Sequence, residues 1–315
     1  MLYRMAVGQA TAQTGKTVKR SGADTMQCVT YNIHFGVGMD GNYDLARIAD
    51  AVRGADLIAL QEVSRNNPQN GGADMVAGLA DLLPDYFFVF GSPYQVDLGS
   101  HRDGDNAVSI YFEFGNMVLS KTPILSSRNL LLPRTRTYDM LNLQRGALEA
   151  LVETPLGPVR FYSVHLDHVS RRERLAQIAF LKDRVLGYGR EGGAVTGLSS
   201  LGFPEPPHPG HALLMGDFNF EPETPEYIAL CGDTDPQFGR PPNADDFCDV
   251  SIPDGTVAAD SHSWFDPEGA LAPKRIDFCF ATAELAGHAG KARVDTQAAG
   301  SDHRPVWIEI ARSET

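Results

Sequence analysis

Short apolar segments, separated by polar or glycine-containing segments, recur along the whole chain. Apolar and polar residues alternate over residues 26–33 and 274–280, a pattern typical of β-strands, in which successive side chains face opposite sides. Short apolar or aromatic runs predict further strands at residues 56–60, 86–90, 116–120, 124–132, 146–153, 159–165, 213–215 and 306–311.

Capping residues and helical periodicity predict helices between these strands. Asp44 is the expected N-cap of one helix, and Ser170 with Glu173 forms a capping box before another. Further helices are expected near residues 73–83 and after Thr224. The expected buried positions of the two capped helices are Leu45, Ile48, Ala49, Val52, Leu175, Ile178, Ala179, Leu181 and Val185. Because strands and helices alternate throughout, the pattern predicts an α/β fold.

Several segments show neither periodicity. Residues 1–25 are polar and are expected to be a disordered leader, followed by a single domain over residues 26–312. Since Met26 directly precedes the first strand, an alternative is that the functional chain begins there. Residues 91–106, 187–210 and 232–263 are expected to be irregular. The first of these loops either faces a substrate or is a solvated connection.

Composition narrows the class of protein. The chain has 315 residues, of which 43% are hydrophobic, enough for a packed core. No apolar run approaches the roughly 20 residues that a membrane-spanning helix needs, and no signal peptide is recognisable. We therefore expect a soluble, cytoplasmic protein, by default a monomer. The four cysteines lack close spacing and are expected to be buried and reduced.

The net charge of −13 disfavours long-range attraction to polyanions. A local basic patch would override this effect, and a bound divalent metal would offset several of the acids. The densest basic cluster before the middle of the chain contains Arg134, Arg136 and Arg145, with Tyr138 among them.

Polar side chains with potential chemistry lie at or near the ends of the apolar segments. Gly216-Asp217-Phe218-Asn219 follows the strand at residues 213–215, so a carboxylate and a carboxamide two residues apart would leave the strand on the same side. Such a pair can hold a water and a metal, although the same residues also make ordinary turns. Similar strand-end positions are held by Asn32, Glu62, His165, Asp277, Asp302 and His303.

Two other motifs point to different chemistry. Residues 36–41 fit the Gly-x-Gly-x-x-Gly pattern of dinucleotide-binding proteins, but the following helix is expected to begin only after Asp44, too late for a pyrophosphate to meet its N-terminus. His165 and His168 resemble a zinc pair, yet no third ligand with zinc spacing is nearby. We therefore expect a flexible loop at residues 36–41, a catalytic His165 and an edge or solvated His168.

The candidate residues include oxygen ligands and two histidines, without a cysteine or serine that suits a nucleophile. Glu62 and Asp302 offer carboxylates, and such sites suit Mg²⁺, Mn²⁺ or Ca²⁺ rather than zinc. A metal held by two carboxylates typically binds a substrate phosphate and neutralises charge during in-line displacement. The pattern therefore favours hydrolysis of a phosphoester by water.

Six motifs occur in an order that resembles the endonuclease/exonuclease/phosphatase superfamily, over residues 26–311. They are Tyr31-Asn32, Leu60-Gln61-Glu62-Val63, Ser163-Val164-His165-Leu166, Gly216-Asp217-Phe218-Asn219, Arg275-Ile276-Asp277-Phe278 and Ser301-Asp302-His303-Arg304-Pro305. The resemblance implies a four-layer α-β-β-α sandwich, in which two mixed β-sheets pack face to face with helices outside and the site lies where strand ends meet.

The resemblance also implies a role for each residue. Glu62 and Asp302 would hold the metal, with Asn32 in its shell. Asp217 would orient or deprotonate the attacking water, and Asn219 would position this water and a phosphate oxygen.

On the same resemblance, Asp277 would fix the tautomer of His303 and raise its pKa, so that His303 stabilises the pentacoordinate phosphorus or accepts the proton. His165 would contact the phosphate or serve the leaving group. Arg145 matches, more loosely, a phosphate-contacting position. Whether Asp217 or His303 is the base stays open.

The motifs do not select a substrate. Val63-Ser64 replaces the lysine that follows the metal glutamate in exonuclease III-type enzymes, and the Trp-Cys-Asp-Arg of inositol polyphosphate 5-phosphatases is absent from residues 275–278. We expect a magnesium-dependent phosphodiesterase of nuclease type. The alternatives are a sphingomyelinase-like or phosphoinositide-directed lipid phosphodiesterase or phosphatase, and a non-catalytic binding protein on the same fold.

Overall fold

Fifteen strands and six α-helices form the described part of the chain, residues 25–251 and 262–311 of a computed structural model. The strands are β1 (Thr25–Asn32), β2 (Leu57–Arg65), β3 (Phe87–Gly91), β4 (Gln95–Asp97), β5 (His101–Asp103), β6 (Asn106–Val108), β7 (Tyr111–Ser120), β8 (Ile124–Leu131), β9 (Gly146–Thr154), β10 (Gly157–His165), β11 (Ala212–Asp217), β12 (Cys248–Asp249), β13 (Asp277–Ala281), β14 (Ala289–Val294) and β15 (Val306–Ala311). The helices are α1 (Leu45–Val52), α2 (Met75–Leu82), α3 (Arg171–Leu186), α4 (Tyr188–Glu191), α5 (Pro225–Cys231) and α6 (Ala283–Ala286).

Two large mixed sheets are built from these strands. The first has the order β14-β15-β1-β2-β7-β3, with β4 also paired to β7, and the second has the order β12-β13-β11-β10-β9-β8. Within them β1 pairs with β2, and β10 with β11, in parallel, whereas the other pairs are antiparallel. Strands β5 and β6 form a separate hairpin.

Three apolar clusters define the layers. The middle cluster joins the facing sides of both sheets, with Cys28, Ala59 and Val118 from the first and Phe161 and Met215 from the second. One outer cluster packs α1 and α2 on the first sheet, and the other packs α3 and α5 on the second. The expected four-layer α-β-β-α sandwich is therefore confirmed.

Sequence periodicity located most elements but misjudged several exposed segments. Residues 91–106 are not one loop, because they contain β4, β5 and the start of β6, and strand β14 was not expected at all. These strands expose much of their surface, so no apolar pattern marks them. Residues 187–210 include α4, and 232–263 include β12. Residues 1–24 of the expected leader, and 252–261, lie outside the described residues.

The inward face of α3 also differs from the expectation. Ala179 is exposed, whereas Glu173 and Gln177 are buried. The reason is local hydrogen bonding, since Glu173 Oε2 accepts from the backbone N–H of Thr135 at 2.7 Å and Gln177 Oε1 accepts from that of Asp167 at 2.9 Å. Polar side chains therefore fasten two loops to the helix.

The structure also tests the expectations on the cysteines and on membrane-spanning helices. Cys28, Cys231 and Cys279 are buried and Cys248 is half-buried, all with free thiols. No helix in the described ranges combines the length and apolar character needed to cross a membrane. Cytoplasmic location, the monomeric state and the single-domain boundaries stay predictions.

Gly216, the first residue of the Gly216-Asp217-Phe218-Asn219 motif, permits the close approach of β10 and β11. A Cβ added there would lie 1.8 Å from the carbonyl oxygen of Val164. We expect Gly216→Ala to lower the free energy of unfolding by about 3 kcal/mol, because the two strands must separate. Urea unfolding followed by circular dichroism measures the loss.

Gly189→Ala is the matched control, since a Cβ at Gly189 in α4 meets no other atom within 4 Å. This helical substitution should change stability by no more than about 1 kcal/mol. Equal unfolding midpoints for both variants would contradict the packing argument.

Candidate active site

Three strands of the second sheet bring His165, Asp217 and Asp277 into one row. His165 pairs with Asp217 across the parallel β10–β11 ladder, and Asp217 pairs with Asp277 across the antiparallel β11–β13 ladder. Directly paired residues project from the same face of a sheet. The row is almost fully buried, with exposures of 4%, 2% and 1% for the three residues in this order. The register of these strand pairs therefore brings three of the candidate residues together.

The first sheet supplies Asn32 and Glu62. Asn32 ends β1, and Glu62 lies at an irregularity of β2 between Leu60 and Val63, with a left-handed φ of 61°. The Asn32 Nδ2 group donates to Glu62 Oε1 at 3.3 Å and to Asp217 Oδ2 at 3.0 Å. One carboxamide thus connects carboxylates from the two sheets.

Asp302 and His303 enter from the loop before β15. The Ser301 hydroxyl donates to the backbone oxygen of Asn32 at 2.8 Å and fixes this loop to β1. Trp264 Nε1 donates to Asp302 Oδ2 at 3.1 Å. His303 Nδ1 lies 2.8 Å from Asp277 Oδ2, and its Nε2 lies 3.7 Å from Asp217 Oδ2. The expected contact between Asp277 and His303 is therefore present.

Opposing electrostatic effects set the charge of His303 and Asp217. Burial alone would lower the pKa of His303, but the charge and hydrogen bond of Asp277, together with the charges of Asp217 and Asp302, raise it to about 10. Burial raises the pKa of Asp217 to about 7, with the charge of Asp277 adding to the rise and the nearby His303 opposing it. At neutral pH, His303 is consequently an imidazolium.

Ser263 supports the His303–Asp277 pair and was not anticipated from the sequence. Its hydroxyl donates to Asp277 Oδ2 at 2.6 Å and accepts from the backbone N–H groups of Ile276 and Asp277 at 3.2 and 3.0 Å. Ser263 lies in the segment that was expected to be irregular, where no periodicity marks a buried position. The contact of Ser263 with Asp277 is therefore visible only in the structure.

Arg145 and His165 form the cationic side of the site. Arg145 is 5% exposed, and its Nη1 lies 2.9 Å from His165 Nε2. Burial lowers the pKa of Arg145, and the charges of Glu62, Asp217 and Asp167 oppose this effect. Burial lowers the pKa of His165 well below its usual value, and the charge of Arg145 adds to this, so the imidazole is neutral. A buried guanidinium beside a neutral imidazole suits an anionic substrate group.

His168 was expected to have an edge or solvated role, and the structure adds a contact with Arg145. His168 is half-buried, and its Nδ1 lies 2.8 Å from Arg145 Nη2. Burial lowers the pKa of His168, with the charge of Arg145 as a further cause. Both histidines therefore contact the guanidinium of Arg145, an arrangement that their spacing in the sequence did not indicate.

Asn219 is placed by a tight turn after β11. Its φ is 53°, its backbone N–H donates to Asp217 Oδ1 at 2.9 Å, and its Nδ2 donates to the carbonyl of Leu166 at 3.1 Å. The turn that one interpretation of this motif expected is thus present. Its contact with a phosphate or a water stays a prediction.

Charge balance provides a test of whether the site fits a divalent cation. Four carboxyl groups, those of Glu62, Asp217, Asp277 and Asp302, share the site with two basic groups, His303 and Arg145, so acidic groups outnumber basic ones. Burial raises the pKa of Glu62, and the charge of Asp302 raises it further. A divalent cation beside Glu62 and Asp302 would relieve both effects, so the donor set fits.

Asp217, Asp277 and His303 also lie close enough together to hold a metal, with ligand atoms within 4.8 Å of one another. We do not interpret this cluster as the metal site. The Asp277 oxygen nearest His303 already accepts from His303 and Ser263, and a protonated imidazole repels a cation.

Comparison with known proteins agrees with this fold. The model of the endonuclease/exonuclease/phosphatase family matches residues 29–303. The chain therefore belongs to the endonuclease/exonuclease/phosphatase family. None of the curated proteins compared with the chain by sequence matches it.

Several solved structures share the fold. An endonuclease/exonuclease/phosphatase from Beutenbergia cavernae is 21% identical, with a TM-score of 0.55, over 91% of this chain and 71% of that one. The mannosyl-6-phosphatase of Bacteroides thetaiotaomicron is 16% identical, with a TM-score of 0.57, over 91% and 100%. TDP2 from Caenorhabditis elegans is 15% identical, with a TM-score of 0.57, over 91% and 74%. These similarities establish the fold and leave the substrate undetermined.

The pH dependence of phosphodiester hydrolysis tests the charge assignments. We expect kcat/KM to rise as Asp217 loses its proton, at a pH at or below about 7, and to fall as His303 loses its proton near pH 10. Asp277→Asn removes the charge that raises the pKa of His303, so the alkaline limb should move to lower pH. The rate should fall about 100-fold.

Asp74→Asn is the control, because this exposed residue caps α2 and asparagine caps equally well. Its profile should match the wild type. If the alkaline limb of Asp277→Asn stayed at the wild-type position, Asp277 would not set the charge of His303.

Proposed function

We propose that residues 26–312 form one catalytic domain, a divalent-metal-dependent phosphodiesterase of nuclease type. Family membership supports phosphoester hydrolysis as the reaction class. The observation that carries the metal dependence is the excess of carboxyl groups over basic groups around the half-buried Glu62 and Asp302. Mg²⁺ is the expected ion, and Mn²⁺ or Ca²⁺ suits the same oxygen ligands.

The metal would be held by the carboxylates of Glu62 and Asp302. When bound, it would neutralise charge on the phosphate that is attacked. The Asn32 carboxamide, whose nitrogen faces Glu62 and Asp217, would hold these carboxylates in place rather than ligate the metal through that nitrogen.

Asp217 is the proposed general base. A pKa of about 7 allows its carboxylate to accept a proton from water at neutral pH, whereas His303, with a pKa of about 10, already carries one. His303 would instead stabilise negative charge on the pentacoordinate phosphorus. Asn219, at the turn after Asp217, would position the water and a phosphate oxygen.

Arg145 and His165 would bind the phosphate. The guanidinium supplies fixed positive charge in a buried position, and the neutral imidazole of His165 lies 3.5 Å from Asp217 and 4.0 Å from Glu62. We propose that His165 contacts the phosphate or the leaving group.

A loop beside the site supports a nucleic-acid substrate. Residues 133–144 leave and rejoin the sheet at a hydrogen bond from Leu132 N to the carbonyl of Arg145. At the loop tip, the Arg136 guanidinium lies 4.8 Å from the centre of the Tyr138 ring, which is 82% exposed. An exposed aromatic ring beside arginine suits stacking of unpaired bases.

The same loop carries the observation that favours the lipid alternative. Met140 and Leu141 are 63% and 72% exposed, next to Tyr138 and Arg136. Apolar, aromatic and basic residues together are typical of segments that lie in a membrane interface. A sphingomyelinase-like or phosphoinositide-directed lipid phosphodiesterase or phosphatase is therefore the second candidate function.

Removal of the metal or its ligands tests the reaction. EDTA should abolish hydrolysis, and Mg²⁺ or Mn²⁺ should restore it. Glu62→Gln and Asp302→Asn each remove one charge with little change in shape, and should lower kcat/KM at least about 100-fold at limiting Mg²⁺. Glu205→Gln, at an exposed loop carboxylate, is the control. Wild-type activity in Glu62→Gln at limiting Mg²⁺ would refute the metal site.

A substrate panel with two loop variants tests the substrate class. Tyr138→Ala should raise KM for single-stranded DNA or RNA about 10-fold, because a stacked base is lost, and should spare a small soluble phosphodiester. The lipid alternative instead predicts that Met140→Ser with Leu141→Ser impairs hydrolysis of sphingomyelin or phosphoinositide vesicles. Phe203→Ala changes an exposed aromatic residue of another loop and serves as the control.

A further inference from the structure

The turn that follows β1 has an unusual backbone beside the candidate metal site. His34 and Phe35 have φ angles of 42° and 41°, in the left-handed region that bulky L-residues disfavour. The turn is held by a hydrogen bond from Gly36 N to Ile33 O at 2.7 Å and by Asn70 Nδ2, which donates to Phe35 O at 3.1 Å. Strained conformations of this kind persist where the surroundings fix them, often at functional sites.

His34 reaches the groups around the proposed metal site in two ways. Its backbone N–H donates to Asn32 Oδ1 at 3.1 Å, which leaves Asn32 Nδ2 to face Glu62 and Asp217. Its ring Nδ1 lies 3.7 Å from Asp302 Oδ1. One residue therefore influences the orientation of both Asn32 and Asp302.

The tautomer of His34 follows from its remaining contact. Nδ1 lies 3.1 Å from the carbonyl oxygen of Val37, which can only accept, so Nδ1 carries the proton of the neutral ring. The positive end of this N–H dipole consequently lies near the Asp302 carboxylate. At 3.7 Å the contact with Asp302 is electrostatic rather than a hydrogen bond.

We infer that His34 is a positioning residue, which keeps Asp302 and Asn32 in the orientation that a divalent cation requires. This inference rests on the proposed metal-dependent function. It gives the left-handed turn a role, because a relaxed backbone at His34 and Phe35 would carry the ring Nδ1 away from Asp302.

Three substitutions at His34 separate the ring nitrogens from the backbone. His34→Asn places an amide nitrogen near the position of Nδ1, and asparagine tolerates a positive φ well. His34→Gln places its amide farther out, nearer to Nε2. His34→Gly removes the side chain but keeps the backbone N–H and adopts the turn without strain. All three variants should fold, as thermal melts would verify.

The primary measurement is Mn²⁺ binding to the full chain by isothermal titration calorimetry without substrate. We expect His34→Gly and His34→Gln to bind Mn²⁺ about 10-fold more weakly than the wild type, as for the loss of groups that orient metal ligands. His34→Asn should bind nearly as tightly as the wild type. In activity assays, the Mn²⁺ dependence should shift accordingly, while kcat at saturating Mn²⁺ is retained.

Other results would overturn the inference. Wild-type binding by His34→Gly would show that the ring has no effect on the metal site, and weak binding by His34→Asn would exclude a role through Nδ1. A fall in kcat at saturating Mn²⁺ with unchanged binding would mean that His34 acts on the substrate. Glu62→Gln tests the proposed metal site separately from the role of His34. If the wild type and Glu62→Gln bind Mn²⁺ equally poorly, the proposed function and the inference both fail; if only Glu62→Gln is impaired, the inference alone fails.

Discussion

Excess negative charge, buried where the two sheets meet, is the constraint on which the site depends. Carboxylates that lose water without gaining a partner are costly, and they take up protons or acquire a cation. Here Asn32 donates to Glu62 and Asp217, Ser263 donates to Asp277, and Trp264 donates to Asp302. These neutral donors reduce the cost but do not remove the net charge. The cation proposed to bind beside Glu62 and Asp302 would offset this charge.

The same constraint gives two histidines opposite properties. His165 lies against the buried guanidinium of Arg145 and is held neutral, whereas His303 lies against Asp277 and is held protonated. The two rings flank Asp217 at 3.5 and 3.7 Å. Electrostatic environment, rather than residue type, thus gives the two histidines different charges. The family assignment supports phosphoester hydrolysis as the chemistry that uses this difference.

The apolar pattern predicted an α/β fold and placed the candidate residues at strand ends, where neighbouring strands can bring them together, whereas the four layers were implied by the family resemblance. Asp217, Asp277 and His165 could be anticipated as neighbours from these positions. Ser263 and His34 could not, since each acts through the conformation of a loop that has no periodic pattern. Ala179 was wrongly expected to be buried. Glu173 and Gln177 are buried on α3 instead, because their hydrogen bonds to loop backbone offset the cost of burying polar side chains. The exposed edge strands β4 and β14 carried too little apolar signal to be recognised.

The pairing of β1 with β15 has a consequence for how the protein is made. Strand β1 lies between β2 and β15, and the Ser301 hydroxyl bonds to Asn32 across 269 positions of the chain. During synthesis, residues near the N-terminus must wait for this last strand before the central sheet can close. Asp302 and His303 directly precede β15, so the candidate site is assembled only after these residues have been synthesised and β15 has paired with β1.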